Sequence, residues 1–467
     1  MGQRLQLTAD DEKLIEGISL SENLTDMGNS RRLVMQVAGN CRFLADAGKW
    51  IIWTGKRWEI DKTGAVMRQA RDAVRRIYNE AAVALDENER KAIAKHAIRS
   101  ESENRIKSMV SLTQTEPEIP IRLDELDRDI WLLNCLNGTI NLTTGRLHSH
   151  RRDDFITKLC PVEYKIEARS ELLDSFLERV LPDAEVRRYV QKALGYTLTG
   201  DTGLEKLFFA YGPPATGKST LLSAVESVMG DYAVTADFES FLQRDRVTGA
   251  ARNDIARLAG RRFVLSVEVE DGRKLAESLV NQLTGGDTIA ARFLYSESFE
   301  FKPQFKLWLA ANNRPKVSGP ESAIWRRMVQ VPFLETIPEN ERDPAVKSRL
   351  RTTERAALLA WLVSGCLLWQ KEGLLEPRAV KHLTDDYREE SDVLKDFFQE
   401  CCLLEPTAQA SNTQIWRAYQ DWCKANGERY PLGRKRFTQA LFSRGLDQYQ
   451  TGANRVRTWV GVGLLNR

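Results

Sequence analysis

Histidine is almost missing from this chain, with four residues in 467, and its seven cysteines include no C-x-x-C pair. Little remains from which to build a zinc ribbon or a histidine-rich metal centre. His148 and His150 form an H-x-H pair in "GRLHSH", but no cysteine or third ligand accompanies them, and no metal site is expected there. The odd, scattered thiols fit no disulfide framework and read as reduced cysteines in a cytoplasmic protein. No apolar run approaches the length of a membrane span, so no membrane partner is expected. The opening "MGQRLQLTADDEK" has no signal-peptide core. Neither sign of charge is in excess. Lys and Arg number 68 against 65 Asp and Glu, a formal net charge of +3, so basic residues matter only where they cluster. Internal repeats and low-complexity tracts are absent too.

What is present is a 42% apolar, 28% charged composition, enough to bury the cores of two to four domains. In the first region, "KWIIWTGKRWEID" (Lys49 to Asp61) alternates around Gly55-Lys56 and predicts a hairpin. Helical, charge-rich sequence runs from Ala65 to about Ser111, and "LLNCLNGTINLTTGRLHSH" carries strand signals around Asn137-Gly138 and Thr144-Gly145. Then Leu173, Phe176, Leu177 and Val180 share one helical face, which Pro182 ends. From Lys206 the pattern becomes short β-rich runs between helices: "KLFFAY", "RRFVLSVE", "FKLWLAAN" and "RRMVQVPF". Such runs predict the buried strands of an α/β sheet.

Gly212-Pro213-Pro214-Ala215-Thr216-Gly217-Lys218-Ser219-Thr220 lies between such a strand and a helix, and matches the phosphate-loop pattern in its required context. Its glycines let backbone N–H groups turn inward on phosphates. Lys218 would reach the β- and γ-phosphates of ATP, and the Ser219 hydroxyl would coordinate Mg²⁺. The bland alternative is a glycine-rich turn with a surface lysine. A second acidic site is needed for the metal shell and the attacking water, and "RRFVLSVEVEDG" offers Glu268, Glu270 and Asp271 at a strand end. "FKLWLAANNRP" ends in Asn312-Asn313, where an amide can position water. "AIWRRMVQVPF" places Arg326 and Arg327 before another strand, where a guanidinium can stabilise charge on the transferring phosphoryl group. Solvated acids and arginines are the alternatives for these two.

The order of these parts, with "LTGGDTIAARFLYSESFEFKPQFKLWLAANNRP" followed by "WRRMVQVPF", resembles the superfamily 3 helicases. The chain looks like the helicase portion of phage, plasmid and poxvirus primase-helicases, over about residues 30–400. The resemblance implies an AAA+-like P-loop ATPase core with a helical N-terminal accessory domain and a C-terminal winged-helix-like module. Expected boundaries are 1–165 for the accessory domain, 166–205 for a helical collar, 206–391 for the ATPase and 392–467 for the module. It implies Lys218 and Ser219 for ATP and Mg²⁺, Glu268 and Glu270 as Walker B acids with Glu268 on the metal, and Asn312 as polar sensor. Arg326 or Arg327 would be a finger acting on the neighbouring subunit of a ring, most often a hexamer. Arg292 would lie on the hairpin that lines a central pore. Asn281 departs from the lysine that relatives usually carry before "LTGGD". Paired carboxylates with histidine motifs, as a primase half requires, are not found in the first 165 residues. A separate primase or initiator is therefore an expected partner.

At the C-terminus, "NTQIWRAYQDWCKANG" puts Ile415, Tyr419, Trp422 and Cys423 on one helical face. "LGRKRFTQALFSRGL" follows as a second helix with Arg434 and Lys435 outward. "DQYQTGANRVRTWVGVGL" reads as a hairpin turning at Gly452-Ala453-Asn454, with Arg455, Arg457 and Trp459 on one strand face. Two helices and a basic wing are expected to contact DNA phosphates; a structural cap is the alternative. Three functions are compatible with these features: a ring-forming DNA helicase acting on single-stranded and forked or duplex DNA of a mobile element, an ATP-dependent origin-melting initiator, and a P-loop small-molecule kinase. The kinase lacks an acceptor-binding base and leaves the arginines and the basic C-terminus without a role.

Overall fold

The computed structural model describes residues 22–243, 253–267, 273–292, 298–317, 319, 322–392, 394–428, 431–451 and 455–465. They divide into two compact units, 1–141 with 146–164 and 142–145 with 165–467. The first unit opens with α1 (Asp26–Val37), whose first turn is capped by Thr25 Oγ1 accepting from Gly28 N at 3.1 Å. Strands β1 (Cys41–Leu44), β2 (Lys49–Trp53) and β3 (Trp58–Ile60) follow, then α2 (Ala65–Val83), α3 (Glu87–Ser100), α4 (Glu103–Thr113) and β4 (Pro120–Ile121). The sheet order is β3-β2-β1-β4. The hairpin expected over Lys49 to Asp61 is β2–β3, with Trp53 opposite Trp58. Leu33, Val37, Ala70, Val74 and Met109 form the core between helices and sheet. Arg32 ties α1 to α2 through an ion pair with Glu80 at 2.7 Å. A meander of β5 (Leu132–Cys135), β6 (Gly138–Asn141) and β7 (Arg146–His148) completes the unit, turning where the Asn-Gly and Thr-Gly signals stand.

The second unit begins with α5 (Glu171–Val180), which buries Leu173, Phe176, Leu177 and Val180, and α6 (Ala184–Thr197). Then come β8 (Leu207–Tyr211), α7 (Lys218–Met229), β9 (Ala233–Thr235), α8 (Asn253–Ala256), β10 (Phe263–Val267) and α9 (Glu277–Thr284). A hairpin of β11 (Ile289–Arg292) and β12 (Ser298–Phe301) precedes β13 (Lys306–Ala311) and β14 (Met328–Pro332). Helices α10 (Pro344–Leu350), α11 (Arg355–Glu372) and α12 (Arg378–Glu390) follow. β14-β8-β13-β10-β9 form one five-stranded sheet in which every pairing is parallel. The four expected strands are three inner members, β8, β13 and β10, and the edge strand β14; β9, the other edge and three residues long, carried no such signal. Every residue of β13 and β14 is buried, which is why these runs are apolar instead of alternating.

Two features hold the helices to this sheet. Trp308 stacks on Phe208 with ring centroids 4.6 Å apart and donates from Nε1 to Thr197 Oγ1 at 3.0 Å. Lys306, fully buried, donates to the carbonyls of Thr199 (2.5 Å) and Asp201 (2.9 Å) and lies 4.4 Å from the Tyr196 ring; desolvation holds its pKa well below that of a free lysine. On the helical side, α6 and α11 cross backbone to backbone. A Cβ added at Gly195 would meet Cys366 N at 2.1 Å, and one at Gly365 would meet Gln191 O at 2.1 Å.

The C-terminal part of this unit comprises α13 (Lys395–Cys401), β15 (Cys402–Leu403), β16 (Gln409–Ser411), α14 (Asn412–Ala425) and α15 (Arg434–Ser443). Strands β17 (Asp447–Thr451), β18 (Val456–Val460) and β19 (Gly463–Leu464) follow. Phe397, Ile415, Tyr419, Phe437, Leu441 and Trp459 form its core. The β17–β18 hairpin is present, and its turn at 452–454 lies outside the described residues. Trp459 corrects the expected exposed face. It is fully buried, 4.8 Å from the Phe442 ring, and donates to Asn412 Oδ1 at 3.0 Å. Strand alternation does carry it to the side of Arg457, but the helices cover that side at Trp459 and leave Arg457 exposed nearer the turn.

The α6–α11 crossing yields a stability prediction. Gly195→Val should destabilise the protein by about 1–3 kcal/mol or more, because overpacking forces the helices apart. A thermal melt unchanged from wild type would show that the crossing tolerates a side chain.

Candidate functional site

The register of the parallel sheet assembles the site. Tyr211, the last residue of β8, lies opposite Ala311 of β13 and Pro332 of β14. The loop from Gly212 therefore leaves the sheet beside Asn312, which follows β13. Gly217 caps the helix that begins at Lys218, with φ +81, and a Cβ there would meet Val180 Cγ1 at 2.4 Å. Only glycine fits both the left-handed turn and the contact with α5. Ala215 also has positive φ, at +58, and its carbonyl accepts from Ile337 N at 2.9 Å. Thr216 Oγ1 donates to Pro213 O at 3.2 Å.

Lys218 points back into the loop. Its Nζ is 2.7 Å from both Gly212 O and Pro213 O, 3.1 Å from Thr216 Oγ1 and 3.1 Å from Asn312 Oδ1. Desolvation lowers its pKa to about 8, and no carboxylate is among these partners. An ammonium gripped by four oxygens, with no counter-anion among them, is suited to receive an anion. Ser219 and Pro213, Pro214 and Ala215 are exposed beside it, and Thr220 is half-buried on the first turn of α7. Next to the loop lies a cavity of about 680 Å³ that is mainly apolar. Leu172 and Phe176 of α5, Ala215, Gly217 and Thr220 of the loop and helix, and Ile337 and Val346 line it. Arg179 and Glu341 pair at its rim at 3.0 Å. Sequence reading assigned α5 no part in this site; the apolar stripe Leu173–Phe176–Leu177–Val180 reads as ordinary core, and a partly exposed partner residue leaves no signal of its own.

The remaining expected residues scatter in instructive ways. Glu268 and Glu270 lie outside the described residues, where β10 ends at Val267 opposite Ala310. Among the described residues no cluster of three His, Cys, Asp or Glu side chains suits a metal ion. Arg326 is two-thirds exposed at the end of a short 3₁₀ turn, 4.0 Å from Glu205. Arg327 is buried instead. It donates to Glu205 Oε2 at 2.9 Å and to Asn281 Oδ1 at 3.2 Å, inside its own chain. Asn281 thus supplies an acceptor where a lysine would repel the Arg327 guanidinium. Arg292 is exposed at the end of β11, and residues 293–297 of its hairpin lie outside the described residues. Arg434 and Lys435 are exposed on the first turn of α15. Arg455 and Arg457 are exposed at the start of β18.

With this geometry in place, comparison with known proteins is informative. Residues 31–182 match the family described as "D5 N terminal like", residues 389–449 the "Poxvirus D5 protein-like" family, and residues 210–327 a family of unknown function. A putative helicase of Acanthamoeba polyphaga mimivirus is 27% identical over 330 residues, covering 66% of this chain and 34% of the relative. A putative helicase of Frog virus 3 is 27% identical over 54% of this chain and 28% of its own length. A putative primase of African swine fever virus is 22% identical over 74% of this chain and 39% of its own. The chain spans roughly a third of the length of these curated relatives. Among solved structures, the apo NrS-1 C-terminal region superposes with a TM-score of 0.50 at 9% identity, over 94% of this chain and 100% of that one, a likeness of fold. D5-like segments thus stand at both ends of the chain, and relatives named helicases and primases of large DNA viruses agree with a superfamily 3 helicase of the primase-helicase type. No helix of the described residues is long and apolar enough to cross a membrane.

The two neighbouring arginines should separate in a stability measurement. Arg327→Met removes charge-assisted bonds from a buried site and should cost about 1–3 kcal/mol. Arg326→Met should stay within about 0.5 kcal/mol of wild type. Equal denaturation midpoints for the two variants would contradict this division.

Proposed function

We propose that this chain is the ATP-driven motor of a ring-forming DNA helicase that replicates a virus-like or other mobile element. The observation that carries the reading is Lys218 Nζ lying between the phosphate loop and Asn312 Oδ1, 3.1 Å away. A cation so placed meets the β- and γ-phosphates, and an amide on the adjacent strand sits where the attacking water must be oriented. Ser219 would hold Mg²⁺ through its hydroxyl, with Glu268 on the metal shell and Glu270 beside it. Bound there, the ion would supply compensation for charge on the phosphoryl oxygens. The apolar cavity against Phe176 takes the nucleobase by burial. An AAA+-like core, a winged-helix-like module on Arg434, Lys435, Arg455 and Arg457, and a pore hairpin carrying Arg292 complete the motor. Arg326, exposed, acts as the finger on the neighbouring subunit's nucleotide, where a guanidinium can bridge two phosphoryl oxygens; Arg327 supports it from within the chain.

Three outcomes are expected. Lys218→Ala should abolish ATP hydrolysis with the fold kept, since such a contact is worth several kcal/mol in the transition state; near-wild-type turnover would remove the assignment. Mixing Lys218→Ala with Arg326→Ala should restore part of the ATPase, because some interfaces then join an intact loop to an intact finger. No recovery in rings shown to be mixed would reject the trans finger. Replacing Arg434 and Lys435 by alanine should weaken duplex binding and flatten its salt dependence by about two phosphate contacts. An unchanged salt slope would make the module a cap. Strand displacement on a forked duplex separates a helicase from an initiator that only melts an origin.

A further inference from the structure

The segment that leaves β13 touches both the loop at Lys218 and the C-terminal part of the second unit. Asn312 accepts from Lys218 Nζ. Two residues on, the Arg314 side chain is only 13% exposed. Its guanidinium pairs with Glu390 at the end of α12 and donates to Gln330 Oε1 of β14 at 2.9 Å. It also lies 4.6 Å from the ring of Tyr211, the residue before the phosphate loop, and 5.1 Å from that of Tyr387 in α12. Pro315 O accepts from the Tyr387 hydroxyl. Lys316 then pairs through its backbone with residues 273–275, the stretch that follows the expected Walker B acids: its N–H donates to Arg273 O at 2.8 Å and its carbonyl accepts from Leu275 N at 3.0 Å. The Lys316 ammonium lies 3.8 Å from Glu428, just beyond α14.

The connection continues into the C-terminal module. Asp392, two residues beyond α12, pairs with Arg444. Arg444 stands at the end of α15 and donates to Ala440 O at 2.9 Å, on the helix whose first turn presents Arg434 and Lys435. A planar fork against two rings, with both terminal nitrogens bonded to β14 or α12, loses those bonds if it rotates. Displacing Asn312 must therefore shift α12 or break the Arg314 contacts, and packed elements of this kind switch between discrete arrangements.

We propose that Arg314 is a positioning residue that couples the phosphate loop to the C-terminal module, so that nucleotide on the loop and DNA on the module change each other's affinity. The proposal rests on the reading above that the loop binds ATP and the module binds DNA. Such coupling is reciprocal and measurable as one ratio. With the full chain, a fluorescent duplex is titrated with and without a non-hydrolysable ATP analogue, and the analogue is titrated with and without duplex. Wild type should show about a fivefold or larger ratio in both directions. Arg314→Lys keeps the charge but loses the fork. Its ratio should fall to about one, with each ligand's affinity measured alone changed by less than about twofold. Arg444→Met, at the far end of the same route, should lose the ratio as well and serves if the first variant unfolds. A ratio retained in both variants overturns the proposal, as does a wild-type ratio of one with both ligands bound. Loss of the ratio only together with each ligand's own affinity would make Arg314 a structural clamp, and also overturns it. A wild-type protein that binds no nucleotide or no DNA instead refutes the underlying reading, and the coupling with it.

Discussion

The parallel pairing of β8 between β13 and β14 is the constraint on which the rest of the second unit depends. Tyr211 opposite Ala311 and Pro332 brings Gly212 and Asn312 to one sheet edge although a hundred residues of sequence separate them. A slip of one residue would turn every side chain of these strands to the other face, and both faces are packed. Trp308 against Phe208 and Thr197, with Lys306 against the Thr199 and Asp201 carbonyls, pins that register to the helical side. The position of the Lys218 ammonium follows from it.

Buried cations recur in this unit, and several use carbonyls or aromatic rings among their partners. Lys306 uses carbonyls and a tyrosine ring. Arg262 donates to Leu198 O at 2.8 Å and lies 4.7 Å from the Tyr232 ring. Arg314 adds two rings to its fork. Carbonyl dipoles and ring faces stabilise charge while avoiding the second desolvation that a buried carboxylate would require. These cations fix elements to one another. Arg292, Arg326, Arg434, Lys435 and Arg457 are exposed, and Arg326 has Glu205 at 4.0 Å.

Much of this architecture follows from local chemistry alone. Gly-rich punctuation between an apolar run and a helix determined the tight turn from β8 into α7, because Gly217 takes a positive φ against Val180 that few other residues allow. Period-two alternation determined the Lys49–Asp61 hairpin, the 3.6-residue period the buried face of α5, and short apolar runs the strands β8, β10, β13 and β14 of the sheet. Those signals arise within one element, where neighbours in sequence are neighbours in space.

What tertiary structure alone decided concerns partners distant in sequence. Arg326 and Arg327 are the same residue type side by side, yet one faces solvent and the other is enclosed by Glu205 and Asn281. Trp459 obeys strand alternation but is covered by α15. Phe176 reads as core and also borders the cavity beside the loop. Arg314, between a strand end and a proline, carries no local signal at all, because Tyr211, Gln330, Tyr387 and Glu390 come to it from three other elements. A side chain's chemistry is set by its residue type, but its burial and partners are set by elements whose packing no short stretch of sequence encodes.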